Sequence, residues 1–194
     1  MESTTQIFLR VQITDAEDDF VRGESLAVGY DDRIQIDSFS FGMEAKLQAP
    51  RAGKGANIDL NQVQVTKFFD RSSTTLAGLL QGKVDTAGKP KPLQERRPLE
   101  EVRITIDQQL EEGGKKEQNA ILVFHLLKAR IVDIKLDVSG DSRSTTIKET
   151  VSFAFKNFEV EYYFRGMENR KRSDFRDQFL GFQTQFEEQQ DSPG

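Results

Sequence analysis

The sequence predicts a mostly β protein, a β-barrel or sandwich by its strand pattern and taken here as a single antiparallel β-barrel or split barrel with one short α-helix, plus a C-terminal amphipathic extension. Three observations lead there. About seven segments alternate apolar and polar residues with the period of two expected of half-buried strands. Only one segment before Phe164 has helical spacing, too little helix for a βαβ sheet. After Phe164 the chain becomes charged and Phe-rich. A length of 194 residues suits one domain with an extension, with boundaries expected at 1–164 and 165–194.

Taken in order, Ile7, Leu9, Val11 and Ile13 alternate against Phe8, Arg10 and Gln12, which predicts the first strand. Asp15 to Phe20 reads as an acidic loop. Ile34 to Met43 alternates again and ends near Gly42. Glu44 to Asn61 then carries Pro50, Gly53, Gly55 and the cations Lys46, Arg51 and Lys54. A connection this long is either functional or a solvated surface loop, so it reads as an assembly arm or as a plain excursion. Val63 and Val65 lead a short strand. Ser72 and Ser73 offer N-cap oxygens to a helix with Leu76, Leu79 and Leu80 on one side and Gly82 at its end.

Val84 to Glu100, with Pro90, Pro92 and Pro98 among charges, reads as an inserted loop. Val102 to Asp107 is a strand, and Glu111 to Asn119 with Gly113 and Gly114 a hairpin connection. Ala120 to Leu136 and Thr150 to Phe164 supply further strands around a polar turn at Ser139 to Thr146. In the tail, the basic run Arg170, Lys171 and Arg172 precedes Phe175, Phe179, Phe182 and Phe186 at helical spacing, so an amphipathic helix is expected there. Its Phe stripe either closes the barrel itself or docks on a partner.

Composition narrows the function classes. The absence of Cys removes disulfides, thiolate metal sites and cysteine nucleophiles, and fits a reducing compartment of synthesis. Met1 to Gln6 has neither a basic nor an apolar leader region, and no segment has the run of apolar residues that a membrane span needs. No membrane anchor or signal peptide is expected. The 27 Lys and Arg are dispersed among 32 acids for a net charge of −5, without the basic face that nucleic acid requires. The aromatic set, 15 Phe against 3 Tyr and no Trp, favours packing over a ligand cleft.

No catalytic, metal or cofactor site is expected. The sole histidine, His125, lies in an apolar run without nucleophile partners. The acids Glu17, Asp18 and Asp19, like Asp31 and Asp32, lie in polar loops. Asp15, Glu17 and Asp19 mimic the start of a calcium loop, but Phe20 stands at its turn glycine and Leu26 at its bidentate glutamate. Arg51 to Ala56 lacks phosphate-loop spacing.

At Val63 to Leu80 a strand runs through Thr66, Lys67, two Phe, Asp70, Arg71, Ser72 and Ser73 into the Leu-bearing helix. This order resembles the Hcp family (haemolysin-coregulated protein), the inner tube protein of bacterial type VI secretion systems. Ile34 to Lys46 is similar to that family's second strand pair, and the stretch from Glu149 to its final strand. Thr74 stands where the family usually carries Pro. The resemblance implies a structural protein and not an enzyme: hexameric rings stacking into a hollow tube, made in the cytoplasm and exported through the secretion apparatus. Its partners would be copies of itself and the sheath, spike and effector proteins of that contractile injection device. Lys46, Arg51 and Lys54 would then lie on the arm reaching the next ring, and Phe175, Phe179, Phe182 and Phe186 would dock the tail. Two other readings stand beside it: a tail tube protein of another phage-like contractile device, and a monomeric ligand-binding β-barrel.

Overall fold

The computed structural model describes residues 3–46, 57–82, 97–112, 115–117, 120–140, 144–163 and 172–174. Strand β1 (Ser3–Gln12) pairs antiparallel with β2 (Ile34–Ile36) on one edge and along its whole length with β7 (Leu99–Glu112) on the other. β7 pairs in turn with the first half of β9 (Ala120–Gly140), and β8 (Lys115–Glu117) caps the far end of β7. The first half of β9 also pairs with β11 (Asn157–Tyr163), which carries β12 (Arg172–Asp174) at the edge.

The second half of β9 leaves this sheet to pair with β10 (Thr145–Ala154), then β6 (Val63–Phe68) and β3 (Ser38–Ser40). The chain therefore bridges the sheets within β9, between β2 and β3, and again at Phe155 and Lys156 between β10 and β11. β9 bends at Lys128, whose φ of 53° is left-handed. On the other side Asp37 turns the chain from β2 into β3 while its N–H bonds Thr66 O at 2.8 Å. The result is a split barrel, as expected from the sequence, with α1 (Arg71–Gln81), the single helix among the described residues, packed at its side.

Leu9, Val11, Ile34, Val63, Val65, Val102, Ile104, Leu126, Val151 and Phe153 fill the space between the sheets together with Leu76 of α1. Each strand contributes its alternate residues, as the period of two requires. Phe41, Phe155 and Phe158 close one end, with Phe41 and Phe158 centroids 5.1 Å apart.

Several sequence expectations need correction. Ile34 to Met43 is not one strand but two, because Asp37 spends its N–H on the other sheet. β9 runs on to Gly140, and the stretch after Thr150 breaks at Phe155 and Lys156. The helix is capped by Asp70, not by Ser72 or Ser73: the Asp70 carboxylate accepts from Ser72 N at 2.8 Å, and Asp70 N–H donates to Ser73 Oγ at 3.1 Å. Gly82 ends it as expected, at φ 65°. The arm predicted at Glu44 to Asn61 is rooted in a two-stranded ribbon of β4 (Met43–Lys46) and β5 (Asn57–Leu60). Lys46 lies on this ribbon, while Arg51 and Lys54 fall outside the described residues. In the tail, Arg172–Asp174 is a strand where a helical segment was expected, and Phe175, Phe179, Phe182 and Phe186 also fall outside the described residues.

Candidate functional site

The inward alternation of β6 runs Val63, Val65, Lys67, so a lysine occupies the last core-facing position of the strand, fully buried. Its cross-strand neighbour on β10 is Glu149, also buried. Lys67 Nζ donates to Glu149 Oε1 at 2.8 Å, Asp70 Oδ1 at 2.8 Å, Phe68 O at 2.8 Å and Ser73 Oγ at 3.1 Å. Ser73 Oγ donates onward to Glu149 Oε1 at 2.8 Å. Ser72 adds N–H and hydroxyl donors to Asp70. Every ammonium proton has an acceptor, which is the condition for keeping a charge out of water.

The family-motif positions thus divide into three roles. Lys67, Asp70, Ser72 and Ser73 form a buried polar knot fastening the start of α1 to sheet strands β6 and β10. Thr66 faces outward, its hydroxyl 3.3 Å from that of Thr150. Arg71 ties the helix to the 20–33 loop through Asp32, while its N–H bonds Glu24 Oε1 at 3.0 Å. These residues spend their polar groups on holding the fold together.

Surfaces with unspent binding capacity lie elsewhere. Beyond the knot, the inward row of β9 and β10 continues past the core into solvent. Ile134 faces buried Val151, then Leu136 pairs Glu149, then Val138 pairs Ile147. Leu136 is 59% exposed, Val138 63% and Ile147 39%. Phe69, 46% exposed, joins the row through its N–H bond to Ile147 O at 2.9 Å. The ribbon thus presents a core-type apolar row to water, the kind of exposed patch that marks interaction sites in proteins generally.

On the opposite, outer face of the first sheet, the 13–33 loop folds over β1. Phe8, which alternation had assigned to the polar side, is buried because Tyr30 stacks on it at 4.0 Å. The loop leaves a cleft of about 360 Å³ lined by Arg10, Arg33, Arg103, His125, Tyr30 and Glu161 among others. His125 Nδ1 lies 2.5 Å from Glu101 Oε1 and its Nε2 3.4 Å from Glu161 Oε1. Burial raises the Glu101 pKa, but the His125 hydrogen bond and the Arg103 charge outweigh it and leave the carboxyl below its usual range. Burial, with the charge and hydrogen bond of Asp107, pushes Tyr30 up to about 12. His125 therefore sits between the Glu101 and Glu161 carboxylates, a placement that the apolar run around it did not reveal. Among the described residues no group of His, Asp and Glu is arranged to hold a metal ion, and no helix is long and apolar enough to cross a membrane.

Comparison with known proteins gives a consistent answer. The family model described as "Type VI secretion system effector, Hcp" matches residues 8–85. No curated protein sequence matches the chain. Among solved structures, one titled as a type six secretion system protein superposes with a TM-score of 0.62 at 16% identity, covering 88% of this chain and 92% of that one. Hcp1 from Salmonella typhimurium gives a TM-score of 0.57 at 18% identity, covering 89% and 96%. A further structure, titled as Hcp protein, gives 0.58 at 14% identity, covering 90% and 99%. At these identities the structures show a shared fold, and the stretch that the family model matches, residues 8–85, includes β6 and α1.

Proposed function

We infer that this Hcp-family chain is a structural subunit of a type VI secretion tube, assembling with copies of itself into hexameric rings that stack and carry or deliver effector proteins. The family match across residues 8–85 and the Hcp fold over most of the chain support the tube reading. The observation that carries self-assembly is the overrunning apolar row Leu136, Val138, Ile147 and Phe69, which a monomer leaves in water. Head-to-tail contacts that close give rings and those that do not close give filaments, so one subunit with two surfaces can supply both. In this reading the β4–β5 ribbon is the root of an arm reaching the next ring, with Lys46, Arg51 and Lys54 as its cations. The tail from 165 to 194 lies along the subunit wall or a sheath subunit, a placement supported by the addition of Arg172–Asp174 to the edge of β11. The chain has no catalytic role, is made in the cytoplasm and leaves through the apparatus, whose sheath and spike are its other partners.

The monomeric ligand-binding barrel is disfavoured because the space between the sheets is filled by Leu126, Ile104, Phe153 and their neighbours. Size-exclusion chromatography with light scattering, followed by negative-stain imaging, tests the proposal. Rings of about six subunits with an open centre are expected. A monomer at every concentration would count against self-assembly.

A further inference from the structure

Three arginines converge on one aromatic ring, and a fourth lies beside them. The guanidinium carbons of Arg10, Arg22 and Arg33 lie 4.9, 5.1 and 4.9 Å from the centroid of Phe20. Arg103 sits directly opposite Arg10 across the β1–β7 ladder, an arrangement in which like charges repel. Arg22 is neutralised by Asp32 at 2.6 Å. The other three line the cleft on the outer face of the sheet. Arg10 is bonded to the Glu17 carbonyl, which brings no charge. Arg103 shares Glu101 with His125. Arg33 Nη1, together with Arg10 Nε and Arg103 Nε, is buried without an acceptor. Burial and the nearby charges of Arg10 and Arg103 lower the Arg33 pKa, Asp32 and Glu101 offsetting part of this. The carboxylate lining the cleft, Glu161, already receives the Tyr163 hydroxyl at 2.5 Å.

Three guanidiniums that each keep a buried nitrogen without an acceptor, two of them held against the Phe20 ring and the third across the ladder from Arg10, form a receptor for an oxyanion. We propose that the Arg10–Arg33–Arg103 cleft binds a phosphate or carboxylate group, which completes the charge balance of the outer sheet face. The fork geometry of arginine accepts both chemistries, so the ligand is a free phosphate-type ion or a carboxylate side chain from a second copy of this chain. The three arginines come from β1, β7 and the 13–33 loop, with β9 and β11 completing the cleft, so its occupation also fastens that loop over Phe8.

The test is thermal melting of the full chain in sodium phosphate against sodium chloride at matched ionic strength, with Arg33→Gln and the control Arg22→Gln. The wild type should gain a saturable melting shift with phosphate. Arg33→Gln should weaken its midpoint by about tenfold, the loss of one charge-assisted hydrogen bond, while Arg22→Gln keeps it. Without phosphate, Arg33→Gln should melt no lower than the wild type because a repelling charge has gone. An equal phosphate response in wild type and Arg33→Gln overturns the site. Light scattering separates the sources. Phosphate that lowers particle mass, together with weaker assembly of Arg33→Gln, identifies a neighbouring copy's carboxylate. Unchanged mass with the same saturable shift identifies the free ion. The melting arm does not depend on tube formation, so the site and the assembly reading fail separately.

Discussion

Replacing Lys67 by Met should be among the most damaging single changes in this protein. The substitution keeps an unbranched chain of similar length but deletes four hydrogen bonds from Nζ. What remains is Glu149, buried to 1% exposure, with Ser73 Oγ as its one remaining donor in the knot. Removing one partner of a buried pair costs about 3–5 kcal/mol, because the other charge stays out of water uncompensated. For a chain of this length each 1 kcal/mol lowers the melting temperature by about 2–4 °C, so a fall of roughly 6–20 °C is expected. Urea unfolding at one fixed protein concentration measures the free energy.

The double variant Lys67→Met with Glu149→Gln separates the charge from the packing. If the damage comes from the orphaned carboxylate, neutralising it restores part of the stability, and the double variant is more stable than Lys67→Met alone. A loss under about 1 kcal/mol for Lys67→Met, the scale of an exposed pair, would refute the claim that the knot is dry and structural. So would strict additivity of the two changes, since residues in one network must couple.

Further outcomes follow from other parts of the structure. Tyr30 should ionise near pH 12 and not near 10; since its folded pKa exceeds the unfolded one, its contribution is intact below pH 10 and lost as pH rises through 12, which ultraviolet titration of the wild type against Tyr30→Phe would reveal. A methyl group at Gly23 would lie 2.2 Å from Arg33 O, so Gly23→Ala should displace the 13–33 loop and abolish phosphate protection while leaving the far-ultraviolet circular dichroism strand signal. Gly82→Ala should cost about 1–3 kcal/mol, because φ 65° with ψ −174° is open essentially to glycine. Val138→Glu should leave monomer stability within about 0.5 kcal/mol, as befits an exposed position, but reduce the particle mass seen by light scattering; a full-sized particle would remove the β9–β10 ribbon from the assembly surface.

The strands were legible because alternation is a local signal: Leu9 and Val11, or Val63 and Val65, announce one buried face whatever the rest of the chain does. The helix was legible from its Leu spacing, although its cap was misread since Asp70, Ser72 and Ser73 are all good capping residues and only geometry decides among them. Continuity was less visible. Asp37 interrupts no hydrophobic pattern, and the bend of β9 falls on Lys128, where no Gly or Pro marks it. The burial of Lys67 had a signal in the sequence, its inward position after Val63 and Val65, but a lysine at a strand end reads by default as solvated. The cleft had none: Arg10, Arg33 and Arg103 are far apart in sequence and meet only through strand register and a folded-over loop.

The Thr66–Ser73 motif therefore carries information chiefly about the fold. Its most diagnostic residues are consumed in fastening α1 to the sheet, and a buried network of this kind tolerates little change because each member satisfies another. What distinguishes this chain in use must lie on surfaces that the motif positions without forming. The overrunning row at 134–147 lies beyond residues 8–85, and the arginine cleft joins residues inside that range to Arg103, His125 and Glu161 outside it. The knot still governs one of these surfaces. Glu149 sits directly opposite Leu136 and two residues from Ile147, so Lys67 and Ser73 fix the point at which the ribbon leaves the core. A variant that loosens the knot should therefore lose assembly before it loses the β-sheet signal, whereas Val138→Glu should lose assembly alone.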